Sequence, residues 1–293
     1  MYSPSPISDG WGPDRCAAAV SITFDNLGEA ADLERGLWPS DMPLGQHFSV
    51  TRALPAILRM LAELELCATF FVEGLNAELY PHALQNIVAT GHEVGYHAWR
   101  HEAWQHLNHA EETRILAHGI HAMGKLAIRP YGFRPPGGEL TSSSVNLLKT
   151  MGFVYCSPAG STASITDGLV MLPFAWPCVD AYAYLPHFSS HREQFGDTHD
   201  VLSPTHFRAT LHTALQKSVQ NRAYLSLLFH PFLEDQPEHF EVMYETLKEL
   251  RSLIHAGHVW CQPCHSIAQW ILERESIPHG LTISPPNDRL AAR

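Results

Sequence analysis

Apolar positions recur along the chain in two alternating rhythms. Short runs rich in Val, Ile, Phe and Tyr predict strands over Ala18–Phe24, Ala68–Val72, Glu93–Tyr96, Tyr131–Arg134, Phe153–Cys156, Leu169–Leu172, Leu225–Phe229 and Val259–Cys261. Between them, apolar residues spaced three and four apart predict helices over Thr51–Leu64, Pro81–Thr90, Ala110–Leu126, Ser142–Met151, Pro204–Asn221, Glu238–Ala256 and Ser266–Glu275. Several of these open on Ser or Thr ahead of the apolar period or carry Pro in the first turn, both of which suit a helix start. Strand and helix alternate without a composition break or linker, which predicts an α/β fold: a distorted (β/α) barrel of about seven or eight parallel strands. The segment Leu169–Ser203 breaks the rhythm. Its Pro, His and aromatic content, and a length beyond a plain connection, mark it as an irregular loop of functional kind. The expected organisation is an N-terminal arm over 1–15, one barrel domain over 16–277 and a C-terminal tail over 278–293.

Composition narrows the partners. The chain has 293 residues, of which 45% are hydrophobic and 17% charged, as in ordinary globular domains. Nineteen Lys and Arg face thirty Asp and Glu, a formal net charge of −11, so no basic face for nucleic acid or an anionic membrane is expected. No apolar run reaches the roughly 18 residues of a membrane span. The first residues show neither the basic patch nor the apolar stretch of a secretory leader, and six cysteines are too sparse for a disulfide scaffold. The expectation is a cytoplasmic chain with reduced thiols and a small-molecule or saccharide substrate; association into a homo-oligomer stays open.

Histidine is abundant, 20 of 293 residues, so chance alone gives about one or two pairs four apart, the spacing of many metal sites. There are two, His97/His101 and His187/His191. The first follows the strand Glu93–Tyr96, where a helical turn would put both rings on one side, and is favoured as ligands; the second reads as two solvated surface residues. The ends of the predicted strands decide more, because barrel active sites assemble at the C-terminal rim. Asp25 and Asn26, His97, Arg134 and His230 all fall there. Such a set suits hydrolysis of a carbonyl compound: a metal on His97 and His101 to polarise the carbonyl, Asp25 beside Arg134 to take a proton from water, and His230 to protonate the leaving nitrogen.

These residues stand in motifs that resemble the polysaccharide deacetylase family, the NodB-homology or carbohydrate esterase 4 hydrolases. Thr23-Phe24-Asp25-Asn26 resembles Thr-Phe-Asp-Asp, His97-Ala98-Trp99-Arg100-His101 resembles His-Ser/Thr-x-x-His, Arg134-Pro135-Pro136-Gly137 resembles Arg-x-Pro-Tyr, and Leu228-Phe229-His230 matches Leu-x-His. With Ala68–Gly74 and Gly91–Val94 in support, the resemblance runs over roughly residues 17 to 275. It implies Asp25 as general base, His97, His101 and Asn26 as ligands of a divalent metal, zinc first among the candidates, and Arg134 as the partner of Asp25. It further implies His230 as general acid, Gly137 as an oxyanion donor through its backbone N–H, and Asp180 and Trp176 as an acid and an aromatic wall. The branch containing cytoplasmic peptidoglycan-deacetylase-like and allantoinase-like members is the more similar one.

Two departures matter. The family's second Asp is Asn26 here, which removes a charge from the ligand set; Glu29, one turn on, is either a replacement ligand or a helix-start acid. The Tyr of the third motif is Gly137. Cys261-Gln262-Pro263-Cys264-His265 has the spacing of haem attachment but reads as a strand-to-helix turn. The leading expectation is an amide C–N hydrolase, a metal-dependent N-deacylase acting on an N-acylated sugar or other small molecule. The alternatives are metal-independent opening of a cyclic amide or ureide, and a catalytically silent carbohydrate-binding relative.

Overall fold

The computed structural model describes residues Gly10–Glu275. Most of the arm over 1–15 and all of the tail over 278–293 lie outside the described residues. The strands are β1 (Ala18–Asp25), β2 (Thr69–Val72), β3 (Glu93–Tyr96), β4 (Gly132–Phe133), β5 (Tyr155–Cys156), β6 (Ser164–Thr166), β7 (Leu169–Met171), β8 (Tyr224–Phe229) and β9 (Val259–Cys261). The helices are α1 (Ala30–Glu34), α2 (Leu54–Glu63), α3 (Asn76–Leu79), α4 (Pro81–Ala89), α5 (His109–Gly124), α6 (Ser144–Thr150), α7 (Asp180–Tyr184), α8 (Ser189–Gln194), α9 (Pro204–Asn221), α10 (Pro237–His255) and α11 (Cys264–Glu275).

The strands form one sheet in the order β6-β7-β5-β4-β3-β2-β1-β8, with β9 paired to β1. Every pairing is parallel except β6 with β7. This is a curled, barrel-like α/β sheet. All eight residues of β1 are buried, as a parallel strand covered on both faces requires. Ala18, Val20, Ile22 and Phe24 join the main apolar core. The alternate residues carry polar groups: Thr23 Oγ1 donates to the Leu227 carbonyl at 2.9 Å and lies 3.3 Å from Ser226 Oγ on β8. The two-residue period of β1 thus delivers a fixed polar row that ends at Asp25.

Helix and strand also lock at one close approach. A Cβ on Gly119 of α5 would lie 2.0 Å from the Tyr96 ring of β3, and Tyr96 Oη donates to the Ile115 carbonyl at 2.7 Å. An Asn108 capping box with Glu111 starts α5, its side chain accepting from the Ala110 and Glu111 N–H groups.

Several features differ from expectation, the short helices α1 and α3 among them. A short strand, β6, pairs antiparallel with β7 across Asp167 and Gly168, both at positive φ (51° and 82°), a two-residue hairpin. The segment Leu169–Ser203 is not an irregular loop: it holds β7, α7 and α8, and the fully buried Arg192 binds it together by donating to the carbonyls of Tyr182, Leu185 and His199. Helices of five or six residues owe their stability to such tertiary bonds rather than to an apolar period. Trp11, inside the expected arm, is buried and stacks on Trp270 at 5.5 Å.

Candidate active site

Parallel pairing brings the strand ends to one rim, and a cavity of about 270 Å³ opens there, lined among others by Asp25, Asn26, His97, His101, Gly137, Trp176 and His230. Of the residues singled out from the sequence, all but Arg134, Asp180 and Glu29 line it. Arg134 and Asp180 stand directly behind the lining, each bonded to a residue that does.

Arg134 is fully buried, and its guanidinium is saturated. It donates to Asp25 Oδ1 at 2.8 Å, to Thr23 Oγ1 at 2.9 Å and to Ser157 Oγ at 2.8 Å, and its Cζ lies 4.1 Å from the centre of the Phe71 ring. A buried cation costs several kcal/mol in desolvation unless it is paired and hydrogen-bonded, which this cage achieves. The pair leaves Asp25 Oδ2 free toward the cavity, 3.9 Å from His97 Nε2. His97 Nδ1 lies 2.8 Å from the Arg134 carbonyl oxygen, so Nδ1 carries the proton and Nε2 presents a lone pair. Burial drives the His97 pKa down to about 3, with the Arg134 and His230 charges adding to the effect, and the ring is neutral at physiological pH.

His97 and His101 do meet, but not through a helix. No helical element covers 97–101; Ala98 and His101 instead adopt left-handed φ values of 64° and 71°, and Glu102 holds the loop by accepting the Trp99 and Arg100 N–H groups at 2.9 and 3.0 Å. The rings meet edge to face with centroids 4.9 Å apart. Two non-glycine residues in this region are costly, and such strain concentrates where geometry serves function. Burial lowers the His101 pKa as well, reinforced by His97 and Arg35.

On the neighbouring strand, Phe24 registers with Phe229, which places Asp25 beside His230. Asp180, fully buried at the start of α7, clamps His230 twice: Oδ1 lies 2.5 Å from Nδ1 and Oδ2 accepts the backbone N–H at 2.6 Å. Burial alone would lower the His230 pKa, but Asp180 outweighs it and the net shift is upward. His230 therefore holds a proton more readily than a free imidazole, with Nδ1 committed to Asp180 and Nε2 left for the cavity.

Two readings from the sequence need correction. Glu29 is neither a ligand nor a plain helix-start acid: it is fully buried, and its two oxygens accept the Gly45 N–H at 2.6 Å and the Tyr80 hydroxyl at 2.5 Å, which brace the loop ahead of α2. His187 and His191 are not simply solvated surface residues; both line the same cavity beside Phe188 and Trp176. Arg35, at the end of α1, lines it too and had no signal in the sequence. A motif search cannot find a residue brought to a rim by an otherwise unremarkable loop.

The ligand set implied for a metal has one telling feature. Asn26 Oδ1 is buried with no hydrogen-bond partner, and Asn26 lines the same cavity as His97 and His101. A buried amide oxygen is rarely left unpaired, and two neutral imidazoles with one such oxygen are donors that suit zinc in kind. The set fits a divalent metal, but it carries no charge of its own. Among the described residues no group of three or more His, Cys, Asp or Glu is placed to hold one.

The chain is similar to several known proteins. The family model described as polysaccharide deacetylase matches residues 13–156. Chitin deacetylase 1 of Saccharomyces cerevisiae is 33% identical over 99 residues, 33% of this chain and 33% of that protein. A peptidoglycan deacetylase of Helicobacter pylori is 27% identical over 125 residues, 42% of this chain and 39% of that protein. The chain thus spans well under half the length of these relatives. A solved Mycobacterium smegmatis protein carrying the polysaccharide deacetylase designation superposes with a TM-score of 0.77 at 26% identity, over 96% of this chain and 99% of its own. An allantoinase superposes at 0.72 with 17% identity, over 92% and 94%, a likeness of fold.

Proposed function

We propose that the chain is a hydrolase of the polysaccharide deacetylase kind, whose family model matches residues 13–156, and that it hydrolyses the C–N bond of an amide, removing an acyl group from a small N-acylated molecule, N-acylated sugars included. The observation that carries this reading is the pairing of two held groups on adjacent strand ends: Asp25, fixed by Arg134, and His230, fixed by Asp180. A relic that only bound sugar would need neither buried clamp. The cavity, about 270 Å³, matches a small molecule or one sugar unit.

Water entering the cavity gives a proton to Asp25 Oδ2 while its oxygen attacks the carbonyl carbon. Arg134 keeps Oδ1 occupied and so fixes which oxygen is the base. The charge that develops on the carbonyl oxygen is met by the Gly137 N–H. His230 then passes its Nε2 proton to the nitrogen as the C–N bond breaks, and Asp180 holds the ring in the tautomer that can do so. Amide plus water becomes carboxylic acid plus amine, and the proton taken by Asp25 restores His230 through solvent. Trp176 gives the cavity an apolar wall. His97, His101 and Asn26 would hold a divalent metal, zinc by donor type, which when bound polarises the substrate carbonyl.

Leaving-group dependence tests the reading. His230→Ala should slow hydrolysis of alkyl amides about 10²–10⁴-fold, the usual worth of general acid catalysis, and slow activated anilides far less, because an anilide departs without a proton. Equal slowing of both would mean that His230 is a cavity wall and not the acid.

A further inference from the structure

We propose that Arg35 binds a carboxylate carried by the substrate a few bonds from the scissile amide, so that the acceptor is a small N-acylated acid rather than a neutral molecule. The inference rests on the amide-hydrolase reading of the same cavity.

Arg35 lies on the rim with Asp25 and His97, its Nη2 3.5 Å from His101 Nδ1. Among the described residues it has no acidic partner within ion-pair distance, whereas Arg100 nearby is paired with Glu34 at 3.7 Å. The charge also reaches His187, which lines the same cavity, where it adds to the burial that lowers that ring. Of the two carboxylates that line the cavity, Asp25 is engaged by Arg134, and Glu139 stands exposed at the mouth. The second family Asp is neutral Asn26. The opening thus presents an unneutralised guanidinium beside neutral imidazoles. A guanidinium is a planar fork whose geometry matches the two oxygens of a carboxylate. Trp176 and Phe188, with ring centroids 5.2 Å apart, offer an apolar wall for the short linker between that carboxylate and the amide.

The test uses two probes of matched shape, 4-acetamidobutanoate and neutral N-butylacetamide, with purified full-length protein. The wild type should favour the acid about tenfold in kcat/KM. Arg35→Gln should abolish that preference through the KM of the acid, and Arg35→Lys should recover part of it, since it keeps the charge and loses the fork. Calorimetric titration with butanoate supplies a readout without turnover: Arg35→Gln should weaken binding about tenfold. If neither amide is hydrolysed but butanoate binding still depends on Arg35, the hydrolase reading fails and the anion site stands. If both amides are hydrolysed with no preference, or butanoate binds the wild type and Arg35→Gln equally, the carboxylate site is overturned.

Discussion

Asn26 concentrates the chemistry of the site in one substitution. Its Oδ1 is buried and unpaired in the residue that shares the cavity lining with His97, and its backbone sits at φ 58°, a region Asn and Asp tolerate better than other residues with side chains. Asn26→Asp is therefore isosteric and conformationally mild, so its effect reads on charge alone. A carboxylate oxygen there should tighten zinc binding about tenfold or more, measured by titration calorimetry, because a neutral donor set gains its only formal charge. Unchanged affinity would place position 26 away from the metal. Glu29 offers no escape from that conclusion, since Gly45 and Tyr80 already hold both of its oxygens.

At the scale of elements, the position of His97 is set by how β3 meets α5. Gly119 lets the helix close onto the Tyr96 ring, and Tyr96 is the residue immediately before His97. In Gly119→Ala the added methyl meets ring atoms at 2.0 Å, so ring or helix must shift. Overpacking of this kind costs about 1–3 kcal/mol, and here it should also reduce hydrolysis by displacing the strand end. Thermal unfolding with kinetics on the same preparation checks both; a stable, fully active variant would show that the strand end is positioned without α5. The sequence made this architecture legible where burial was nearly continuous: β1, β2 and β8 are largely apolar runs, and Asp25 and His230 at the ends of β1 and β8 follow from them. It was illegible where local structure depends on distant partners. The Ala98 and His101 left-handed turn leaves no periodicity, and α7 and α8 are held by Arg192, which gathers carbonyls from four positions. The Asp167-Gly168 turn of the β6 hairpin was a local signal that could have been read.

Across the whole molecule, buried ionisable groups decide how stability responds to acid. Burial lowers the proton affinity of six described histidines: His47, His92, His97, His101, His187 and His265. Each takes a proton in the unfolded chain near pH 6.5 that the folded chain refuses, so each contributes stability above that pH and loses it as pH falls. Four groups act in the opposite sense: Glu73, Glu93 and Glu234, raised chiefly by burial, and His230, raised by Asp180 against its burial, hold protons in the folded state that the unfolded chain gives up sooner. Six against four favours the histidines, and unfolding between pH 6.5 and 5 should take up protons, with the melting temperature falling as pH falls. His92 isolates the effect away from the cavity. Its Nδ1 accepts the Ala68 N–H at 3.2 Å, a bond that protonation would destroy, at the entry to β2. His92→Asn keeps an acceptor near that place and removes the titration. The variant should lose part of the slope of stability against pH in this window, less than the about 1.4 kcal/mol per pH unit that one whole proton carries. Denaturant melts at pH 5, 6 and 7.5 measure that slope, and a slope equal to the wild type would show that His92 takes up its proton as readily folded as unfolded.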